Sequence, residues 1–144
     1  MSSADTVQNG ETVYAMFFRR DMVVDGIKFL TPPTFPMQVG LMEHPAHHAI
    51  EPHKHPAHAF NVQTMSEFLY IERGRIKAIV YDEKWNVLAE RELGAGDFLL
   101  FFCGGHAINV IEDVRMIEVK QGPYPGDEKA KVYREKPAEA ITHP

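Results

Sequence analysis

Cysteine is almost missing from this chain. Cys103 stands alone, which excludes an intrachain disulfide framework and fits a reducing compartment. No apolar run approaches membrane-spanning length, so no membrane partner is expected. No basic stripe is present either, and a net charge of −5 argues against a nucleic-acid surface. The start, MSSADTVQNGET, has no cationic segment followed by an apolar one, so we expect no signal peptide. Convincing amphipathic helices are absent, apart from a weak signal over residues 127–136, and there is no internal repeat. At 144 residues the prior is one domain with a real core. These absences lead to the expectation of a soluble, cytoplasmic, single-domain protein.

Short strands fill the space that helices leave. VYAMFF (Val13–Phe18) is β-branched and aromatic, and MQVGLM (Met37–Met42) alternates. Asp25–Gly26 inside MVVDGIKFL is a hairpin signal. The prolines of Thr31–Pro36 exclude helix and central strand there. Beyond residue 66 come Glu67–Glu72, a break at Arg73–Gly74, Arg75–Tyr81, a polar tip at Asp82–Asn86, and Val87–Leu93. A GAGD turn leads into FLLFF, then CGG, HAINVI, a turn at Glu112–Asp113, and VRMIEVKQ. Turns at this spacing predict an all-β sandwich or barrel. Residues 1–12 are expected to be disordered, 13–124 to form the domain, and 125–144 to be a charged, proline-bearing tail.

Histidine is concentrated in Glu43–Glu67. His44, His47, His48, His53, His55 and His58 lie there, six of the eight in the chain. Neutral imidazole is the commonest metal ligand, and a carboxylate completes a hard or borderline site. His53 and His55, two apart on a strand, would share a face. Glu67, Leu69 and Ile71 would share another, so Glu67 is an acid on an otherwise apolar wall. Such an acid needs a partner, whether a cation or a neighbour such as Arg75. His106 follows Gly96 by ten positions. His44, His47, His48 and His58 read as loop or pocket-rim residues. Cys103 could line a pocket or be an inert buried thiol. Glu118 and Lys120 alternate with Ile117 and Val119, as a solvated strand face does; as an alternative they are acid/base groups at a barrel mouth.

Two strings, PHKH…SEFLYIERG and GAGDFLLFFCGGHAIN, resemble the paired motifs of the cupin superfamily. EFLYIERG, GAGDFLL, GGH, MIEVKQGPYPGD and the entry segment GIKFLTPPTF…MQVGLMEHP are similar to a branch of small single-domain bacterial cupins. That branch is associated with sugar-nucleotide and surface-polysaccharide pathways. The resemblance implies a double-stranded β-helix, or jelly-roll barrel, with its core over 37–122, extra N-terminal strands and a short C-terminal tail. It also implies His53, His55, Glu67 and His106 as ligands of one divalent transition metal (Fe, Mn, Ni or Zn), with Glu67 additionally a candidate catalytic group. Eleven residues separate His55 from Glu67, where the superfamily has only a few, and Phe102 stands where proline is usual. An inserted excursion keeps His53 and His55 inward; in the other register Asn61 and Gln63 become the candidates. Asn61, Gln63, His58 and Cys103 are the further pocket candidates.

From the resemblance we expect a metal-dependent, isomerase- or epimerase-like enzyme acting on a sugar-like or sugar-nucleotide-derived molecule. The alternatives are a non-catalytic metal-assisted binding module for a sugar or small acid, and an Fe(II)-dependent dioxygenase. A homodimer is expected through Val13–Phe18 or Phe29–Phe35, because VYAMFF lacks an obvious partner within such a core.

Overall fold

A computed structural model describes residues 4–135 of the chain. The described residues are nearly all β. The strands are β1 (Asp5–Asn9), β2 (Thr12–Phe18), β3 (Gly26–Phe29), β4 (Gly40–Glu43), β5 (Glu67–Tyr81), β6 (Val87–Gly94), β7 (Phe98–Phe101) and β8 (Gly105–Lys120), followed by one short helix, α1 (Asp127–Ala130). None of the helix present is long and apolar enough to cross a membrane.

Six strands form one antiparallel sheet in the order β1-β2-β7-β5-β6, with β8 paired along nearly the whole length of β5. Strands β3 and β4 make a separate two-stranded ribbon. The β5–β8 pair runs from Glu67↔Lys120 to Tyr81↔Gly105 and slips register repeatedly between Ile71 and Ile76. Bulges of this kind bend a strand and increase its twist. Here the two long strands bend together, and the sheet curls into a half-barrel.

The sequence signals at Arg73–Gly74 and Glu112–Asp113 suggested chain breaks; they are instead this shared bend. Gly74 has φ 87°, and a Cβ there would overlap the Asp113 carbonyl. Only a residue without a side chain lets the two backbones meet.

The alternation of β2 and β7 produces two cores. Ala15, Phe17, Leu99 and Phe101 face inward with Leu69, Ile71, Ile76, Ala78 and Val80. Met16, Phe18, Leu100 and Phe102 face the other way, covered by the entry segment through Met22, Leu30, Phe35, Met37 and Val39. The Phe35 ring meets that of Phe102 edge-on at 4.5 Å.

Three expectations need correction. Asp5–Asn9 is a strand paired with β2, not a disordered lead, because Val7 buries its side chain in the inner core. Asp25–Gly26 does not turn a hairpin: Gly26–Phe29 instead pairs with Gly40–Glu43, across the proline-bearing loop. Val13–Phe18 is not a free edge, since β1 and β7 flank it and Ala15–Phe18 is buried. The exposed end of the proposed dimer segments is Phe29, beside Ile27 and Met42.

Candidate functional site

Because the β5–β8 pair curls, its two ends converge. Glu67 begins β5 and His106 lies at the start of β8, yet His106 Nε2 stands 3.7 Å from Glu67 Oε2. Local structure sets this meeting. Glu67 shares the inward face of Leu69 and Ile71, as its spacing predicted, and pairs across the sheet with Phe101. The His106 ring stacks on Phe101 at 4.0 Å, with the planes 2° apart. One phenylalanine therefore fixes the distance between the acid and the imidazole.

Charged neighbours complete the group. Lys120 is the cross-strand partner of Glu67, and Glu118 that of Leu69. Lys120 Nζ is 3.2 Å from Glu118 Oε1. Ile117 and Val119 are exposed on the other face of the strand; on this face Glu118 is exposed as well and Lys120 is half-buried. The alternation was legible, and Glu118 is solvated as a strand face would be; what the sequence did not show is that the curl brings this face to Glu67 and His106.

This arrangement separates the acidities of the two carboxyls. Burial, and a hydrogen bond to Glu118 that favours the protonated form, push Glu67 up to about 7. Glu118 is moved down, first by that same hydrogen bond from Glu67 and then by Lys120. Burial lowers His106 from its ordinary value, with Glu118 opposing. Near neutral pH the site thus holds a carboxyl poised to gain or lose a proton, a neutral imidazole and a lysine.

These groups open onto a cavity of about 480 Å³, a size suited to a small molecule. Glu67, His106 and Lys120 line one part, and Tyr81, Trp85 and Tyr124 supply aromatic wall. Trp85 sits at the β5–β6 hairpin tip with φ 66°. The Asp82 carboxylate holds that tip by accepting from the backbone N–H groups of Lys84 and Asn86, both at 2.9 Å. Strained residues of this kind persist where their surroundings fix them. Gly105 lets the indole approach, since a Cβ there would fall 2.5 Å from the ring. Trp85 was not singled out from the sequence; the one available signal is a lone tryptophan in a polar hairpin tip.

Ser66 and Gln121 also line the cavity. The Ser66 N–H donates to Gln121 Oε1 at 2.6 Å. The Ser66 hydroxyl and the Gln121 amide nitrogen are buried without a partner among the described residues. Buried polar atoms are ordinarily satisfied, so these two mark a polar place in the wall.

The histidine-rich stretch lies elsewhere. Of the four expected ligands, Glu67 and His106 come together, while His53 and His55 lie in an exposed loop. His53 Nδ1–H donates to the Glu51 carbonyl at 2.8 Å, and the His53 and His55 rings meet edge-on at 5.1 Å. Among the described residues no three His, Cys, Asp or Glu side chains are grouped closely enough to hold a metal. As placed, His53 and His55 do not join Glu67 and His106 in one donor set.

His58, Asn61 and Gln63, considered as pocket groups, are exposed and do not line the cavity. His58 lies against Phe60, and Gln63 donates to Asn61. Cys103 is outside the lining as well: its Sγ faces the Val13 carbonyl at 3.4 Å, and burial raises its pKa, which suits an inert thiol. No protein-family model, curated protein or solved structure matches the chain.

Proposed function

We propose that the half-barrel belongs to a cupin-type jelly roll and that its cavity is the active site of an isomerase- or epimerase-like enzyme for a sugar-like carbonyl compound. The observation that carries this reading is the meeting of Glu67 and His106, 3.7 Å apart at the wall of the cavity. Proton transfer is most efficient when the group that moves the proton has a pKa near the working pH. Glu67, pushed up to about 7, has that property.

The proposed step balances without a redox partner. The Glu67 carboxylate removes a proton from the carbon beside a carbonyl, and the C–H electron pair becomes a C=C bond. The carbonyl oxygen takes a proton from the His106 ring N–H, giving an enediol or enol. Collapse transfers the Glu67 proton to the former carbonyl carbon while the other enediol hydroxyl returns a proton to His106, which shifts the carbonyl. Delivery of a proton to the opposite face of the original carbon would epimerise it instead. When Glu67 is protonated it donates a hydrogen bond to the Glu118 carboxylate, and Lys120 offsets the negative charge of the pair. A divalent metal held by His53, His55, Glu67 and His106 stays an expectation of the resemblance alone, and none of these steps passes through it.

The test is exchange of carbon-bound hydrogen in D2O, followed by NMR, over a panel of aldoses, ketoses and uronic acids. Wild-type protein should wash deuterium into one carbon of one class, and Glu67→Gln should slow this by about 10²–10⁴-fold. Saturable binding with no exchange across the panel would overturn the enzymatic reading in favour of a binding module.

A further inference from the structure

We infer that the ligand of this cavity carries an anionic group, a carboxylate or a phosphate, held by Lys131 and Arg134 of the segment after α1. The inference rests on the cavity being a ligand site, but not on what chemistry follows. The lining carries Lys120, Lys131 and Arg134 against one carboxylate, Glu67, in a chain whose net charge is −5. A cationic concavity on an acidic protein is a local device for attracting anions.

Position sets these cations apart as much as pairing does: Arg20, Lys28, Lys54, Arg73, Lys84 and Lys129 also lack a carboxylate partner among the described residues, but none of them lines the cavity. Arg75, Lys77, Arg91 and Arg115 on the sheet each have a carboxylate within ion-pair distance. Lys120 is tied to Glu118. Lys131 and Arg134 have no such partner among the described residues, although both line the cavity. The Arg134 guanidinium lies 5.3 Å over the Tyr81 ring, and its donors have no hydrogen-bond partner among the described residues. A guanidinium fork matches the paired oxygens of a carboxylate or phosphate.

The rest of the wall suits a hydroxyl-bearing body behind that anion. Trp85 offers a flat apolar surface, and the unpartnered Ser66 hydroxyl and Gln121 amide can reach a ligand oxygen by side-chain rotation. The class so defined is a small polyol acid or polyol phosphate.

Trp85 is the chain's only tryptophan and lines the cavity, so its fluorescence reports occupancy directly. D-glucuronate, D-glucose 6-phosphate, inorganic phosphate and D-glucose are titrated at matched ionic strength. We expect saturable change with glucuronate or glucose 6-phosphate and at least tenfold weaker binding of glucose. The double variant Lys131→Gln/Arg134→Gln, with its fold checked by circular dichroism, should remove that preference. If it does not fold, the separate single variants Lys131→Gln and Arg134→Gln are read instead, each expected to weaken the acid at least threefold. Preference for glucuronate over glucose 6-phosphate identifies a carboxylate, the reverse a phosphate, and either supports the proposal. Equal binding of glucose, no binding by any of the four, a preference for inorganic phosphate over both sugar acids, or a preference that survives the variants would overturn it. Anion binding that persists in Glu67→Gln, with no deuterium exchange in the wild type, would sustain the ligand class while removing the enzymatic reading.

Discussion

Gly74 on β5 and Asp113 on β8 touch backbone to backbone, and this contact sets the curl of the sheet. Gly74 sits at φ 87°, and the place of its missing Cβ is taken by the Asp113 carbonyl. From this bend the two long strands run to Glu67 at one end and His106 at the other, and the bend brings those residues to 3.7 Å. Gly74→Ala should therefore destabilise the fold by about 3 kcal/mol, combining left-handed strain with the overlap. Urea denaturation measures this. A loss under about 1 kcal/mol would mean that the bend relaxes easily. Any folded fraction should also bind cavity ligands more weakly, because straightening the ribbon separates its ends.

Asp97 makes a second structural joint, at the turn before β7. Its buried carboxylate accepts from the backbone N–H of Arg20 and of Gly94, both at 2.9 Å, and from Arg19 Nη1 at 3.3 Å. The end of β2 and the turn before β7, far apart in sequence, are fastened by one side chain. Asp97→Ala leaves two backbone donors unmatched in a buried setting and should cost about 2–4 kcal/mol. Asp97→Asn keeps one oxygen acceptor and should cost less. Thermal denaturation of the pair orders them; equal stability of Ala and Asn would show that the backbone bonds do not matter.

Much of this was legible in the chain, for identifiable reasons. The period-2 alternation of Leu69 and Ile71, and of Leu99 and Phe101, marks strand faces whatever the surroundings, and it put Glu67 on the inward wall. His106 was singled out by its place after the GG turn. The bend was misread as two breaks, because Gly74 and Asp113 are signals of local turning and only the pairing of β5 with β8 shows that they turn together. The roles of Glu118 and Lys120 depended on curvature, which has no signature in a window of a few residues. The histidines drew attention by number, yet among the described residues His53 and His55 find partners only in their own loop, at Glu51 and in each other.

The acid pair makes stability depend on pH in a direction unusual for a carboxyl. Folded Glu67 keeps its proton to about 7, whereas the unperturbed group releases it near 4.5. Between these values the folded state binds more protons than the unfolded one, so the Glu67 contribution falls as pH rises through this window and is flat above it. Glu118, moved down, works in the opposite sense: its contribution is present above the ordinary carboxylate range and is lost as pH falls through its folded value. Glu67→Gln offers the same hydrogen bond to Glu118 without a titrating proton. Relative to wild type it should gain about 1 kcal/mol between pH 5 and pH 8, the linkage being reduced by the partial exposure of the group. Urea midpoints at both pH values decide this, and a difference that does not change with pH would remove the assigned shift.

The His53 and His55 pair provides the sharpest division between what the resemblance implies and what the geometry supports. Both side chains are exposed, and neither lines the cavity. The double variant His53→Ala/His55→Ala should accordingly leave thermal stability within about 0.5 kcal/mol of wild type, as surface substitutions do. It should leave Trp85-reported ligand affinity and the deuterium-exchange rate within about twofold. His106→Ala, by contrast, removes the ring stacked on Phe101 and the group facing Glu67, and it should abolish exchange. A tenfold loss of affinity or exchange in the double variant would show that the loop reaches the cavity in solution. Stimulation of binding or exchange by added divalent metal in the wild type but not in the double variant would then place His53 and His55 beside Glu67 and His106 as ligands. Equal behaviour of wild type and double variant, with and without added metal, would leave the acid–base group to act with the residues that the β5–β8 curl brings together.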